Sequence, residues 1–348
     1  MFQTEGFLIS EHGGSEKLVW TPLSLPDPGP EEVKILVQYI GLNHLDLWVR
    51  RGVPGHKFPL PLIPGSDVVG VVEEVGSSVQ TILVGSHVIV NPVLSCDRCN
   101  ACFSGQHQLC DSFGLLGETR HGGCAFHLVV PFRNISILPT SYSACEMASF
   151  PLVFLTAWHM LIGRAQLRPT ETVLVHAAGS GVGTAAIQIA KFFGAKVFTT
   201  VGSPEKMKKA LELGADYAFN YQQEDWVQKV RELTRKKGVD VVIDHVGKDT
   251  FPFSLKVLAK GGRLVTCGAT TGATVEIDLR PIFFKGISIL GSTMGNRSEL
   301  TTIFQLIEKK AFRPVIAEVL PLSQLAKAHQ LLEQREVFGK IVMEVTKE

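Results

Sequence analysis

The first 130 residues contain short apolar runs that are rich in β-branched side chains and separated by turn residues. Four runs share this character: VKILVQYI (33–40), DVVGVVEEV (67–75), HVIVNPV (87–93) and AFHLVV (125–130). Runs of this length and composition predict antiparallel β-strands. The Pro- and Gly-rich stretches 26–30 and 54–64 are predicted to be loops, because strand-like patterning resumes directly after each of them.

From about Glu171 the pattern changes to short buried strands that alternate with helical segments. Six segments are strand-like: TVLVH, KVFTT, DYAFN, VDVVID, GRLVTCG and ISILGST. Between the first two, a helix is predicted from Val182 to Phe193. Alternation of this kind is typical of βαβ units and predicts a doubly wound parallel sheet, which binds a dinucleotide at the carboxyl ends of its strands.

The segment after Thr293 contains two helical stretches and the strand-like GKIVMEV. Because ISILGST already completes the parallel sheet, this last strand is predicted to rejoin the first domain. The chain is therefore predicted to be an α/β protein with two domains. The mostly β domain takes residues 1–154 and 293–348, and the nucleotide-binding domain takes residues 155–292.

The charge balance restricts the partners of the protein. Its 34 Lys and Arg residues against 33 Asp and Glu residues give a formal net charge of +1. Nucleic-acid binding proteins concentrate a basic excess that neutralises phosphates, so no nucleic-acid partner is expected. With 45% hydrophobic and only 19% charged residues, the chain is expected to bury a large core.

The sequence shows neither a membrane span nor an export signal. The longest apolar stretch, 151–162, contains Thr156 and His159 and is shorter than the roughly 20 residues that cross a bilayer. The N-terminus lacks a basic segment followed by an apolar core. A cytoplasmic protein with no membrane partner is therefore expected. In that reducing compartment, clustered cysteines favour metal binding over disulfides.

The segment TVLVHAAGSGVG has the order of strand, tight turn and helix that a pyrophosphate site requires. Backbone N–H groups can approach phosphates at such a turn only where the side chains are small. The glycine positions of G-x-G-x-x-G fall on Ala178, Ser180 and Gly183, so the strict pattern is not met. The cofactor-binding candidates are the residues of the turn: Gly179, Ser180, Gly181, Val182 and Gly183. The alternative is a tight βα turn that binds no nucleotide.

The residues after the second strand of this domain bear on the choice of cofactor. NAD selection needs a carboxylate about 20 residues beyond the glycine turn, whereas this chain has Val201, Gly202 and Ser203 there. Ser203 and Lys206 are instead suited to a 2′-phosphate, which favours NADP(H). The alternative is that Ser203 only caps a helix and Lys206 is an exposed helix residue.

Cys96, Cys99, Cys102 and Cys110 form the pattern C-x2-C-x2-C-x7-C in a loop segment, the lobe of residues 91–113. Four thiolates at short spacings suit one structural Zn²⁺ ion with closed tetrahedral coordination. An iron–sulfur cluster is the alternative, because C-x2-C-x2-C also occurs in ferredoxins. The three other cysteines are expected to be small buried hydrophobic residues: Cys124, Cys145 and Cys267.

Motifs spread over the whole chain resemble those of the medium-chain dehydrogenase/reductase superfamily, which contains zinc alcohol dehydrogenases and NADPH quinone oxidoreductases. They are LNHLDLWVRRG, PLIPGSDVVGVVEEVG, the four-cysteine segment, AAGSGVG, TTVGSPEK, LGAD, DHVG and ILGST. The resemblance implies a GroES-like, mostly β catalytic domain plus a Rossmann domain. It also implies a homodimer formed by edge pairing of the ISILGST strand.

The positions that hold the catalytic zinc in zinc alcohol dehydrogenases differ in this chain. By the resemblance, the first ligand position is Asn43, and the second motif has Ser66 and Asp67 in place of His and Glu. The stretch PLVFLTAWHM lacks the third ligand, a cysteine. One carboxylate is a poor metal site, so a structural zinc without a catalytic zinc is expected.

The resemblance also suggests roles for individual residues. The Asn43 amide is expected to donate a hydrogen bond to the anion that develops on the substrate, with His44 as a second candidate donor. Thr156 matches a position near the nicotinamide, and Tyr221 resembles the tyrosine on the NADPH side of quinone oxidoreductases. Asp46 is expected to order its loop.

Without a Lewis acid, alcohol oxidation loses the group that stabilises the alkoxide. We therefore expect an NADPH-dependent reductase that transfers a hydride to a quinone or an α,β-unsaturated carbonyl as its small-molecule substrate. Two alternatives stay open. One is a zinc-dependent alcohol dehydrogenase with unusual ligands, and the other is a redox-inactive NADPH-binding protein that acts by association.

Overall fold

The structure is a computed structural model and describes residues 1–346. The chain divides into two compact units, Met1–Leu152 together with Asn296–Glu348, and Val153–Gly295. Within the described residues, no helix has both the length and the apolar character of a membrane span.

The first part of the chain is mostly β. Its elements are β1 (Phe2–Leu8), β2 (Val19–Leu25), β3 (Glu32–Gly41), α1 (His44–Arg51), β4 (Asp67–Val75), β5 (His87–Val90), β6 (Val93–Leu94), α2 (Asn100–Phe103), β7 (Gly114–Leu115), β8 (His127–Pro131), β9 (Ile135–Ile137) and α3 (Ala144–Met147). β3 pairs antiparallel with β4 and β8, and β4 pairs antiparallel with β5. The prediction of antiparallel strands in this region is confirmed.

The middle of the chain alternates strands and helices. Its elements are α4 (Pro151–Trp158), β10 (Thr172–Val175), α5 (Gly181–Phe192), β11 (Lys196–Val201), α6 (Pro204–Glu212), β12 (Tyr217–Asn220), α7 (Trp226–Leu233), β13 (Val239–Asp244), α8 (Phe251–Val257), β14 (Leu258–Thr266), α9 (Arg280–Lys285) and β15 (Ser288–Gly291). The strands form a parallel sheet in the order β12-β11-β10-β13-β14-β15, which confirms the predicted doubly wound sheet. α5 begins one residue earlier than predicted, because the Ser180 side chain caps it, and it also ends one residue earlier, at Phe192.

The last part of the chain returns to the first unit. Its elements are α10 (Arg297–Glu308), β16 (Ile316–Pro321), α11 (Leu325–Gln334) and β17 (Lys340–Glu344). β17 pairs antiparallel with β3, so the prediction that the last strand rejoins the first domain is confirmed. β16 was not predicted; it pairs parallel with β17 and lies at the edge of the seven-stranded sheet.

Each unit has its own apolar core. In the first unit, Ile35 of β3 and Val68 of β4 pack in one buried cluster with Ile341 of β17. In the second unit, Leu174 of β10 and Val242 of β13 belong to a separate buried cluster. The C-terminal strand therefore helps to build the core that supports the N-terminal strands.

Candidate functional site

The four clustered cysteines of the first unit have the geometry of a metal centre. The Sγ atoms of Cys96, Cys99, Cys102 and Cys110 all lie within 4.8 Å of one another, and those of Cys99 and Cys102 are 3.6 Å apart. Tetrahedral Zn–S bonds of about 2.3 Å place sulfur atoms roughly 3.8 Å apart, so the residues fit zinc. Within residues 1–346, no other group of three or more Cys, His, Asp or Glu side chains has a spacing suited to a metal ion.

Asp97, between the first two of these cysteines, anchors the lobe. Its carboxylate accepts hydrogen bonds from Ser95 at 2.8 Å and forms ion pairs with Arg133 and, at 2.8 Å, with Arg297. Arg297 is the first residue of α10. The cysteine lobe is therefore tied to the C-terminal part of the same unit.

Asp46 orders the loop that carries Asn43. Its carboxylate accepts hydrogen bonds from the backbone N–H groups of Asn43 at 2.7 Å and Gly65 at 2.9 Å. Asp46 is fully buried, and this burial raises its pKa to about 6 although both N–H groups act to lower it. The geometry agrees with the loop-ordering role expected for Asp46.

The side-chain amide of Asn43 is fully engaged within the protein. Its Nδ2 donates to Asp67 Oδ2 at 2.9 Å and to the carbonyl of Gly41 at 3.2 Å. Its Oδ1 accepts a hydrogen bond from the ammonium of Lys340. Both amide hydrogens are thus used, which leaves none for a substrate anion in this arrangement. The structure argues against the donor role predicted for Asn43 and favours a positioning role.

Lys340, the first residue of β17, is the residue that sequence reasoning missed. Its side chain is only 4% exposed, and its ammonium also donates to Asp67 Oδ2 at 3.0 Å. Asp67 is fully buried, and its Oδ1 accepts from the backbone N–H of Leu152 at 2.8 Å. A lysine ammonium thus bonds both Asn43, at the first ligand position of the resemblance, and Asp67, in its second motif. Nothing in the local sequence distinguishes Lys340 from an exposed lysine.

His44, the first residue of α1, is a half-buried neutral side chain. Its ring contacts Trp48 edge-on, with centroids 5.4 Å apart. Burial, together with the nearby positive charges of Arg335 and Arg51, lowers the pKa of His44 to about 4. At neutral pH the ring therefore carries one N–H donor. With the Asn43 amide engaged, His44 is the remaining donor of the predicted pair.

The glycine-rich turn of the second unit connects β10 to α5. Ser180 is the N-cap residue, and its Oγ accepts from the backbone N–H of Gly183 at 2.9 Å. A Cβ at Gly183 would lie 2.3 Å from the carbonyl oxygen of Ala177, so only glycine fits this close approach. Gly179, Gly181 and Val182 are partly exposed at the start of the helix. The first turn of a helix has N–H groups without intrahelical acceptors, which suit a pyrophosphate.

A buried polar network connects the strand ends beside this turn. His176, directly after β10, contacts Thr200 Oγ1 through Nδ1 at 3.0 Å and Ser254 Oγ through Nε2 at 2.9 Å. Ser254 in turn donates to Asp244, the last residue of β13, at 2.9 Å. Burial lowers the pKa of His176, which keeps the ring neutral. The network fixes the ends of β10, β11 and β13 relative to one another.

The residues predicted to choose between NAD and NADP lie at the end of β11. Ser203 caps α6, accepting from the backbone N–H of Lys206 at 3.3 Å. A Cβ on Gly202 would lie 2.7 Å from the hydroxyl of Tyr221, so Tyr221 reaches the same loop. Glu205, which sequence reasoning did not weigh, accepts hydrogen bonds from its own backbone N–H and from the Ser203 hydroxyl, and both lower its pKa.

Thr156 lies in α4 of the same unit and is buried. Its hydroxyl contacts the Met294 sulfur at 3.5 Å. Its position near a nicotinamide stays a prediction.

Comparisons with known proteins match both the first and the second unit of the chain to dehydrogenases. A family model described as alcohol dehydrogenase GroES-like domain matches residues 29–140, and one described as zinc-binding dehydrogenase matches residues 181–309. A quinone oxidoreductase of Rattus norvegicus is 31% identical over 96% of each chain. An NAD-dependent alcohol dehydrogenase of Sulfolobus acidocaldarius is 32% identical over 96% of this chain and 98% of its own. A crystal structure of an NAD-dependent alcohol dehydrogenase is 45% identical, with a TM-score of 0.94, and covers 98% of this chain and 100% of that one.

Proposed function

Since this chain belongs to the medium-chain dehydrogenase/reductase superfamily, we propose that it reduces quinones or α,β-unsaturated carbonyls by hydride transfer from NADPH. The relatives support an oxidoreductase that uses a nicotinamide cofactor. The substrate class, the choice of NADPH and the absence of a catalytic zinc are our proposal.

One observation carries the proposal: the Lys340 ammonium bonds both Asn43 and Asp67. A divalent cation at the same place would face a positive charge at short range and find a single carboxylate. A carbonyl conjugated to C=C, or a quinone, needs no Lewis acid as strong as zinc, because its developing enolate or hydroquinone anion is delocalised and can be held by hydrogen-bond donors.

The residues of the chain then have separate roles. The cofactor, when bound, would supply the hydride, and solvent would supply the proton that completes the reduction of the resulting anion. His44, neutral and half-buried, donates a hydrogen bond to the developing oxyanion. Asn43 is a positioning residue, fixed at the start of α1 by its contacts with Lys340, Asp67 and the Gly41 carbonyl. A zinc ion held by Cys96, Cys99, Cys102 and Cys110 would be structural, because four thiolates leave no open position for a substrate.

We assign NADP(H) as the cofactor from the loop after β11. Ser203, Lys206 and Tyr221 are the polar residues at this loop that we assign to a 2′-phosphate. Glu205 and the two relatives described as NAD-dependent favour NAD(H) instead. Dissociation constants for both nicotinamides decide the question: tighter binding of NADH than of NADPH would overturn this assignment.

We also propose a homodimer through β15. This strand is the last of its sheet and is largely exposed, and the neighbouring Phe283 and Phe284 in α9 are exposed as well. An exposed apolar edge strand tends to pair with another strand. Sedimentation analysis should give a dimer, and Ile289→Lys, which places a charge on this edge, should give a monomer. A monomeric wild-type protein would contradict the proposal.

The main test is a panel of quinones, enones, aldehydes and alcohols, assayed with both nicotinamides on protein of measured zinc content. We expect one zinc ion per chain and NADPH oxidation with a quinone or an enone. Two zinc ions per chain together with chelator-sensitive alcohol oxidation would favour the zinc alcohol dehydrogenase alternative. Cofactor binding without turnover of any substrate would favour the redox-inactive alternative.

A further inference from the structure

A histidine that the proposal above does not use lies at the end of β13. His245 directly follows Asp244, the last residue of that strand, and is buried. β13 is the sheet neighbour of β10. From β10 the sheet continues through β11 and β12 to one edge, and from β13 it continues through β14 and β15 to the opposite edge. Doubly wound sheets bind their ligands in the crevice at such a switch point. His245 and the glycine-rich turn after β10 therefore border the same expected cofactor position.

His245 contacts the residue that caps α5. Its Nε2 lies 2.8 Å from Oγ of Ser180, and the same oxygen accepts the backbone N–H of Gly183 at 2.9 Å. A serine hydroxyl has one hydrogen and two lone pairs. The backbone N–H of Gly183 occupies one lone pair of the Ser180 hydroxyl oxygen. Whether Nε2 of His245 carries a proton then decides where the hydroxyl hydrogen of Ser180 points.

Two arrangements satisfy this contact. If Nε2 of His245 accepts, Ser180 uses its only hydrogen on the histidine and offers no donor to a ligand. If Nε2–H donates, both lone pairs of Ser180 are occupied and its hydrogen is directed to a third partner. At the start of a helix, a phosphate oxygen is a strong acceptor for such a hydrogen.

We propose that His245 is a positioning residue for the cofactor pyrophosphate: its Nε2–H orients the Ser180 hydroxyl, which donates to a phosphate oxygen. The proposal rests on the nicotinamide binding proposed above. It does not rest on the choice between NADP(H) and NAD(H), because both contain the pyrophosphate. It also accounts for serine at the second glycine position of the turn, where the side chain adds a directed donor.

The turn after β13 is held by hydrogen bonds to Asp244 that do not involve the His245 side chain. Asp244 accepts hydrogen bonds from the backbone N–H groups of Val246 at 3.0 Å and Gly247 at 3.1 Å, and from the Thr250 hydroxyl at 2.9 Å. These bonds hold the backbone of the turn. Polar replacements of His245 are therefore expected to leave the fold intact.

ADP-ribose is the probe, because it contains the pyrophosphate but lacks the nicotinamide and the 2′-phosphate. His245→Gln keeps an N–H donor near the position of Nε2, whereas the shorter His245→Asn does not. In calorimetric titration we expect His245→Asn to weaken ADP-ribose binding about tenfold, the effect of one hydrogen bond to a charged group. His245→Gln should recover most of that loss. Adding His245→Asn to Ser180→Ala should cost no further affinity.

Equal affinity of His245→Asn and the wild type would overturn the proposal. So would a further loss in the double variant, because His245 would then act independently of Ser180. A similar loss in the Gln and Asn variants would indicate a structural role. A wild type that binds ADP-ribose but prefers NADH would contradict the NADP(H) assignment alone. Melting temperatures of the ligand-free variants check that the fold is kept.

Discussion

The ammonium of Lys340 and the carboxylate of Asp67 form a buried ion pair with an N–O distance of 3.0 Å. Removing both charges from water is costly, and such a pair is stable only where further hydrogen bonds satisfy its remaining donors and acceptors. Here Asn43 supplies bonds to both partners, and the backbone N–H of Leu152 adds one to Asp67. The negative charge of the buried Asp67 carboxylate is thus balanced by the ammonium of Lys340, without a metal ion.

The first prediction concerns this pair. Lys340→Met should lower the free energy of unfolding by about 3–5 kcal/mol, because it leaves the Asp67 carboxylate buried without its cation. Urea unfolding followed by circular dichroism measures the change. Asp67→Asn added to Lys340→Met should restore part of the loss, since the uncompensated charge is then gone. If the loss in the double variant equals the sum of the losses in Lys340→Met and in Asp67→Asn alone, the two charges do not depend on each other.

The second prediction concerns pH. The pKa of His44 is about 4 in the folded chain and near its ordinary value of 6.5 in the unfolded chain. The unfolded state therefore takes up this proton first as the pH falls, so the folded state loses stability between pH 6.5 and 4, by up to about 3 kcal/mol. Asp46, whose raised pKa is about 6, has the opposite effect in part of this range.

Comparing the wild type with His44→Gln separates the effect of His44 from that of Asp46, because Asp46 is present in both proteins. When both are unfolded in urea at each pH, the free energy of unfolding of the wild type should fall relative to that of His44→Gln as the pH falls from 7 to 4.5. A difference that does not change with pH would show that His44 titrates normally in the folded chain.

The third prediction concerns the cysteine lobe. Purified protein should contain one zinc ion per chain by elemental analysis, and Cys102→Ser should lose it and melt at a lower temperature. Cys145→Ser is the matched control, because Cys145 lies outside the four-cysteine group and should keep the zinc. Iron with acid-labile sulfide in the wild type would support the cluster alternative.

The fourth prediction concerns Lys206. Lys206→Ala should raise the dissociation constant of NADPH by about tenfold or more, and that of NADH within about twofold, because only NADPH has the 2′-phosphate. Lys208→Ala on the same helix is the control, since Lys208 is exposed and pairs with Glu212. Equal effects on both nicotinamides would contradict the assignment. Weaker NADH binding in Glu205→Gln would show that the acid holds the ribose.

The sequence predicts the parallel sheet well, because each of its strands is an apolar run between helical segments. It did not predict β16, where Leu320 is the buried residue and most of the others are exposed. An edge strand of this kind has little of the pattern on which sequence prediction depends.

The site is less predictable than the fold. The metal lobe can be read from the spacing of its cysteines, since all four lie within 15 residues. The engagement of the Asn43 amide and the contact of His245 with Ser180 depend on strands that the fold brings together. No local pattern reveals them, because each partner alone resembles an ordinary polar residue.

The position of β17 has a consequence for biosynthesis. Asp67 and Lys340 are separated by 273 positions, and β17 lies between β16 and β3 in the sheet. While the chain is being synthesised, Asp67 leaves the ribosome long before Lys340, whose ammonium compensates its carboxylate. The buried ion pair of the N-terminal unit can therefore form only after β17, the last strand of the chain, has been synthesised and has inserted between β16 and β3.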